Sequence, residues 1–122
     1  EKYLKDGVKN SANLINNFFK SVISEKKNFI LIIHPTKSEI YFPYFAKIDE
    51  KYSDYLNYSQ TRVLLKKQLD KEILVLDLFD HLYKRLEKDP SLDLYYKKDG
   101  HYSLNGQKIV AEIISNYIQN LN

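Results

Sequence analysis

The sequence contains no cysteine, and this absence excludes disulfide bonds and thiolate chemistry. The redox compartment therefore stays open. No apolar run approaches the roughly 20 residues that a helix needs to cross a bilayer, and the start at Glu1 does not have the pattern of a signal peptide. If the chain is a fragment, any signal or anchor lies upstream, and an extracytoplasmic or membrane-anchored protein is the expectation.

The chain also lacks a cluster of basic residues and a set of closely spaced metal ligands. Its net charge is +3, and acidic residues and asparagines dilute the lysines along the sequence. A nucleic-acid interface needs basic residues on one face, so nucleic-acid binding is not expected. A metal site built from Asp80, His81, His34, Asp99 and His101 is conceivable, since these are ordinary zinc ligands. The spacing does not favour it, and we predict no metal and no cofactor.

Hydrophobic periodicity predicts a mixed α/β protein. Apolar residues recur at helical spacing over residues 3–23, after Ser59, around residues 82–86 before Pro90, and over residues 104–121. Residues 28–33 and 72–78 are short apolar runs, which are typical of strands covered on both faces. This alternation implies right-handed crossovers and a parallel sheet. With no repeat or linker, residues 1–122 form one domain or part of one.

Two features follow the first predicted strand. His34 lies at its carboxyl end, the edge where open α/β sheets place ligands. Its ring either bonds to nearby backbone or takes a direct part in the site. Residues 36–58 then form a long connection, which is either functional or holds short helices. Its rings either line a wall or lid over a cleft, anchor the loop to the core or form an interface; they are Tyr41, Phe42, Tyr44, Phe45, Tyr52, Tyr55 and Tyr58.

Asp99 and His101 are the strongest candidates for catalysis. They stand two residues apart around Gly100, and in an extended loop their side chains face the same way. The carboxylate can then accept a hydrogen bond from one imidazole nitrogen while the other faces a cleft, as the general base for a serine hydroxyl requires. A solvated turn is the alternative. Ser103 has the side chain of a helix N-cap, which accounts for it without a catalytic role, and Asp77 is a similar cap candidate.

The surrounding sequence resembles a known family. The block Tyr-Tyr-x-x-Asp-Gly-His-Tyr-Ser-x-x-Gly-x-x-x-x-Ala-Glu, residues 95–112, closely resembles the last conserved block of SGNH (GDSL-type) hydrolases and acyltransferases, in the branch whose Asp and His stand two apart. Residues 29–41, Phe-Ile-Leu-Ile-Ile-His-Pro-Thr-Lys-Ser-Glu-Ile-Tyr, are similar to a late strand and its Pro-x-Lys-x-x-Val-Tyr continuation. Residues 73–78, Ile-Leu-Val-Leu-Asp-Leu, are similar to the final strand. The three stretches occur in family order.

The resemblance implies a fold, an activity and a role for each site residue. The fold is a three-layer α/β/α domain with a flavodoxin-like parallel sheet, of which this chain is the C-terminal part. The activity is that of a serine esterase or O-acyltransferase acting on an acyl ester, an acetyl ester above all, of a carbohydrate or cell-envelope polymer. His101 is then the base and Asp99 its orienting acid. Tyr102, His34 and Tyr41 are candidates for contacting the substrate.

The family's Gly-Asp-Ser nucleophile block and its oxyanion Gly and Asn are not visible in the sequence. A missing N-terminal half or a companion chain is therefore expected to carry the serine. An unpaired sheet edge would also invite an oligomer. The competing interpretation is a non-catalytic α/β module that binds glycan or protein through the tyrosine-rich segment.

Overall fold

The computed structural model describes residues 2–51 and 60–121, and over these residues it shows a mixed α/β chain. The elements in order are α1 (Lys2–Ser24), β1 (Ile30–Ile33), α2 (Lys37–Ile48), α3 (Gln60–Gln68), β2 (Leu74–Asp77), α4 (Leu78–Lys88) and α5 (Leu104–Gln119). Strands β1 and β2 pair in a parallel, two-stranded sheet. The predicted α/β class and parallel pairing are confirmed at this level.

The chain divides into two compact units. The first unit comprises Glu1–Leu31 and Ser59–Val75, and the second comprises Ile32–Tyr58 and Leu76–Asn122. In the first unit, α1 packs on α3 and buries Val8, Ala12 and Phe19. The Asn16 amide ties the end of α3 to α1, because its Nδ2 donates to the Gln68 carbonyl (3.0 Å) and its Oδ1 accepts the Asp70 N–H (2.8 Å).

The second unit is built around α4, which packs on both α2 and α5. Leu78, Leu82 and Leu86 recur every four residues and so lie on one face of α4, where each is at most 1% exposed. Burying a leucine side chain contributes about 1.5–3 kcal/mol, so this stripe anchors the unit. The rest of its core comprises Ile40, Leu76, Leu94, Tyr95, Ile109, Val110 and Ile113.

Several sequence expectations about the elements need adjustment. Both strands have four residues and are shorter than the predicted runs. They are also less covered, because β1 is half-buried and Leu74 of β2 is 46% exposed. The segment after β1 holds the twelve-residue helix α2, with Pro43 inside it. Tyr52, Tyr55, Tyr58 and Ser59 fall outside the described residues. Over the described range, no helix combines the length and the apolar character that crossing a bilayer requires.

Candidate active site

The candidate site lies in the second unit, where β1 ends and α2 begins. His34 follows the last strand residue and is exposed, and Pro35 after it is buried. Thr36 then caps α2: its Oγ1 accepts the Glu39 N–H (3.2 Å), and Glu39 Oε2 accepts the Thr36 N–H (2.8 Å). This reciprocal capping box fixes the start of the helix. As a result, Lys37 is the first residue of α2.

The segment carrying Asp99 and His101 is a closed turn. Tyr95 and Tyr102 form an antiparallel bridge at its base, and the Tyr96 N–H donates to the His101 carbonyl (3.0 Å). The backbone is therefore a turn, as in the alternative interpretation, and not the extended chain in which alternation would place both side chains on one face. A turn brings the two side chains together because Asp99 Oδ1 accepts the backbone N–H of His101 (2.8 Å), which is the usual way an aspartate stabilises a turn.

The expected pairing of carboxylate and imidazole is present as a close contact. His101 Nδ1 lies 3.4 Å from Asp99 Oδ1, and the two side chains are 88% and 54% exposed. The distance exceeds the 2.7–3.2 Å typical of an N–H···O hydrogen bond, and catalytic hydrogen bonds often tighten only when substrate binds. Since Nδ1 faces the carboxylate, Nε2 is the nitrogen available to a reactant.

Serine 103 and Gly106 join the turn to α5. The Ser103 hydroxyl accepts the Gly106 N–H (2.9 Å) and donates to the Asp93 carbonyl, so its predicted role as N-cap is confirmed. Gly106 lies against the backbone of Leu94, and a Cβ there would stand 2.0 Å from the Leu94 carbonyl oxygen. Only glycine allows this approach, which explains the residue type at this position of the block.

Lys37 also binds the turn, through its side-chain ammonium. Its Nζ donates to the carbonyl oxygens of Tyr96 (2.6 Å), Lys97 (2.9 Å) and Asp99 (3.4 Å). The sequence analysis placed Lys37 in the Pro-x-Lys resemblance without giving it a role. Its position after a strand end is visible in the sequence, but the partners lie 59 to 62 residues away, and no local pattern identifies them.

Three tyrosines pack together at the base of the turn: Tyr95 is buried, and Tyr102 and Tyr41 are half-buried. The Tyr95 hydroxyl donates to the Pro35 carbonyl (2.7 Å), and its ring centroid lies 4.7 Å from that of Tyr102 and 6.1 Å from that of Tyr41. Burial raises the pKa of Tyr95 well above the usual range of a tyrosine. Burial also raises the pKa of Tyr102 and of Tyr41. These hydroxyls are therefore neutral at physiological pH.

A groove of about 330 Å³ borders the turn in the same unit. Aromatic rings of α2 form one side, and the lysines that flank the turn form another. Tyr41 and Phe45 stack there with centroids 6.2 Å apart. The lining residues are Lys37, Ser38, Tyr41, Phe42, Phe45, Asp93, Tyr95 and Lys97.

The predicted site residues thus fall into three places. Asp99 and His101 meet on the turn. His34 lies beside Tyr102, with ring centroids 5.8 Å apart, whereas Tyr41 lines the groove. The expectation that aromatic residues of the 36–58 segment reach the core holds for Tyr41 and Tyr44, which pack against it. Among the residues that the structure describes, no three carboxylate or histidine side chains gather as a metal site would require.

Comparisons with models of known protein families, with curated proteins and with solved structures gave no match to this chain.

Proposed function

We propose that this chain supplies the base and the orienting acid of an SGNH-type serine esterase or O-acyltransferase. The observation that carries the proposal is the contact between His101 Nδ1 and Asp99 Oδ1 (3.4 Å), on a turn that leads into α5. The carboxylate fixes the ring so that Nε2 faces the reactant, and it stabilises the imidazolium that forms. A base held in this way typically contributes about 10²–10⁴-fold to the rate.

In the proposed reaction His101 acts first as base and then as acid. As the serine Oγ forms a bond to the acyl carbon, its proton passes to His101 Nε2. The imidazolium then donates this proton to the leaving alcohol oxygen while the ester C–O bond breaks, and an acyl-enzyme remains. Water or a sugar hydroxyl next attacks the acyl group while His101 accepts its proton, and the imidazolium returns that proton to the serine Oγ as the acyl–Oγ bond breaks. The choice between these two acceptors distinguishes an esterase from a transferase.

The nucleophile has to come from outside these 122 residues, because none of the serines has a Gly-Asp-Ser context. In this proposal a preceding half of the domain, or a companion chain, supplies the serine and the oxyanion donors. The same piece supplies further strands of a three-layer, flavodoxin-like parallel sheet. Two strands alone are marginal, and an unpaired sheet edge attracts another chain, so association through this edge is part of the proposal.

The groove beside the turn fits a carbohydrate ester. Tyr41 and Phe45 line it with their rings stacked on each other, and apolar rings together with the Tyr41 hydroxyl suit a sugar ring that is apolar on its faces and polar at its rim. Lys37 and Lys97 also line the groove, and Lys37 Nζ contacts the turn, so in this proposal the ester of a bound sugar lies toward the turn. His34 and Tyr102 are proposed as further substrate contacts.

A non-catalytic binding module is the second candidate. The groove favours it, because aromatic rings and three charged side chains line it whether or not a serine is present. In that case Asp99 and His101 are parts of a stable turn and take no proton.

Replacing His101 by alanine tests the first candidate. The measurement is hydrolysis of an acetyl ester by the complete protein, together with intact mass and fluorophosphonate labelling to find the reactive serine. We expect His101→Ala to lower turnover by at least about 10²-fold, with an unchanged circular dichroism spectrum because the side chain is 88% exposed. His81→Ala is the matched control, because His81 is an exposed histidine on α4. This variant should keep the wild-type rate.

Two results would decide against catalysis. If His101→Ala retained turnover, His101 could not be the general base. A complete protein that never reacts with fluorophosphonate and hydrolyses no ester would leave the binding module, and glycan binding to the groove would then be the property to measure.

A further inference from the structure

Lysine 37 makes contacts that a surface lysine does not ordinarily make. A solvated ammonium satisfies its three N–H groups with water, whereas Lys37 Nζ has backbone carbonyls of Tyr96, Lys97 and Asp99 within 2.6–3.4 Å. These carbonyls belong to three residues of one tight turn, and all three accept from the same Nζ. A compact ammonium with three rotatable donors matches such an arrangement. The contacts therefore depend on both the charge and the shape of lysine.

The backbone of Lys37 is held in place, as its ammonium is. Lys37 is the first residue of α2, whose start is fixed by the Thr36–Glu39 capping box. The preceding Pro35 carbonyl accepts the buried Tyr95 hydroxyl (2.7 Å), and Tyr95 lies immediately before the turn. The start of α2 and the turn are thus joined twice. The Tyr95–Pro35 hydrogen bond joins them next to the backbone of Lys37, and the Lys37 side chain joins them through its Nζ.

The third carbonyl in the set is that of Asp99 itself. Fixing this peptide group sets the backbone position from which the Asp99 side chain reaches the His101 N–H (2.8 Å) and His101 Nδ1 (3.4 Å). The side chains of the pair are exposed, so packing around them does little to hold this geometry. The pair is instead restrained by contacts to its backbone. Lys37 makes one of these contacts, from its Nζ to the Asp99 carbonyl oxygen.

We propose that Lys37 is a positioning residue for the Asp99–His101 pair. Its ammonium holds the turn so that Asp99 stays against His101 Nδ1, and it touches neither the acyl group nor the serine. This inference rests on the proposed function for its catalytic meaning. Its structural part, that Lys37 maintains the backbone of the turn, does not depend on that function.

The first test measures the turn without any reaction. Amide hydrogen exchange and 15N chemical shifts are recorded for the His101 and Tyr96 N–H groups of the complete protein, in wild type and in Lys37→Met. We expect exchange of the His101 N–H to accelerate about tenfold or more in the variant, while amides of α4 and α5 keep their protection. Lys98→Met is the matched control: it removes the same charge from an exposed position of the same turn and should leave both amides unchanged.

The second test measures catalysis by the complete protein. A misplacement of about 1 Å can cost on the order of 10²-fold, so we expect Lys37→Met to lower kcat by about that factor with KM nearly unchanged. Lys37→Arg keeps the charge but replaces a compact ammonium by a planar fork, and it should recover part of the lost kcat. A residue that only stabilised the fold would change the melting temperature and leave kcat of the folded fraction intact.

The outcomes separate this inference from the proposed function. Wild-type exchange and wild-type kcat in Lys37→Met would overturn the role of Lys37, even if His101→Ala were inactive. If exchange at His101 is faster in Lys37→Met but His101→Ala keeps full ester hydrolysis, the structural role of Lys37 is retained and its catalytic role is overturned. An increase in KM without loss of kcat would make Lys37 a substrate contact and would also overturn the proposal.

Discussion

Single residues determine how the turn that carries Asp99 and His101 is attached to the rest of the second unit. Gly106 shows this most directly, because a Cβ at that position would stand 2.0 Å from the Leu94 carbonyl oxygen and 2.9 Å from its carbon. Real Cβ atoms do not approach backbone atoms so closely, and neither backbone can move without disturbing the Ser103 cap or the bridge between Tyr95 and Tyr102.

Replacing Gly106 by alanine should therefore be costly. Overpacking a well-packed site typically costs 1–3 kcal/mol, and because the clash is with backbone we expect a loss of about 3 kcal/mol in the free energy of unfolding, measured by urea denaturation. Gly7→Ala is the matched control, since no atom of the described residues lies within 4 Å of a Cβ there. Placed in the interior of α1, it should stabilise the protein by about 0.5–1 kcal/mol. A neutral Gly106→Ala would contradict the close approach.

At the scale of elements, helix starts were the most predictable features. Asp77 and Ser103 were expected to be caps from their residue types and positions, and both accept the backbone N–H that a cap requires. The periodic apolar stripes also predicted α1, α3, α4 and α5. Helix α2 was missed as a defined element because aromatic side chains and Pro43 obscure its periodicity, although Thr36 and Glu39 have the spacing of a capping box.

The cap of α4 gives a second stability prediction. Asp77 Oδ1 accepts the Phe79 N–H (3.1 Å), and replacing an N-cap aspartate by alanine costs about 1 kcal/mol. We expect that loss in Asp77→Ala by thermal or urea unfolding. Asp77→Asn keeps an acceptor oxygen and should recover most of it. Equal losses in the two variants would mean that the cap hydrogen bond is not the source of the effect.

The geometry of the turn that carries Asp99 and His101 was predictable only in part. That Asp99 and His101 lie close together follows from their spacing. The turn that achieves it could not be read from alternation, because alternation assumes an extended backbone, and here a side-chain-to-backbone hydrogen bond bends the chain. The contacts of Lys37 and of Tyr95 join residues about 60 positions apart. Such contacts result from tertiary packing and leave no local pattern in a single sequence.

At the scale of the whole molecule, the tyrosines make stability sensitive to alkaline pH. Burial raises the pKa of Tyr95, Tyr102 and Tyr41 in the folded chain, whereas in the unfolded chain a tyrosine ionises near pH 10. Above that pH the unfolded state loses protons that the folded state retains, and the equilibrium shifts toward unfolding. The stabilisation is complete below about pH 10 and is lost as the pH rises further.

We therefore expect the free energy of unfolding to decrease between about pH 10 and 12, measured by urea denaturation at fixed ionic strength. Tyr95→Phe should decrease less steeply over this range, because it removes one titrating group. At neutral pH the same variant should be less stable by about 1 kcal/mol, since its ring cannot donate to the Pro35 carbonyl. A slope equal to that of wild type would exclude Tyr95 as a source of the alkaline effect.

The contacts of Lys37 also bear on how this region can change during evolution. All three are made to main-chain carbonyls, which every amino acid possesses. Side chains at Tyr96 and Lys97 can therefore be exchanged without removing an acceptor from the set, and both positions are exposed. Substitutions at these positions can change the charge and shape that the turn presents to a substrate. Lys37 can continue to hold the turn, because it contacts only the backbone.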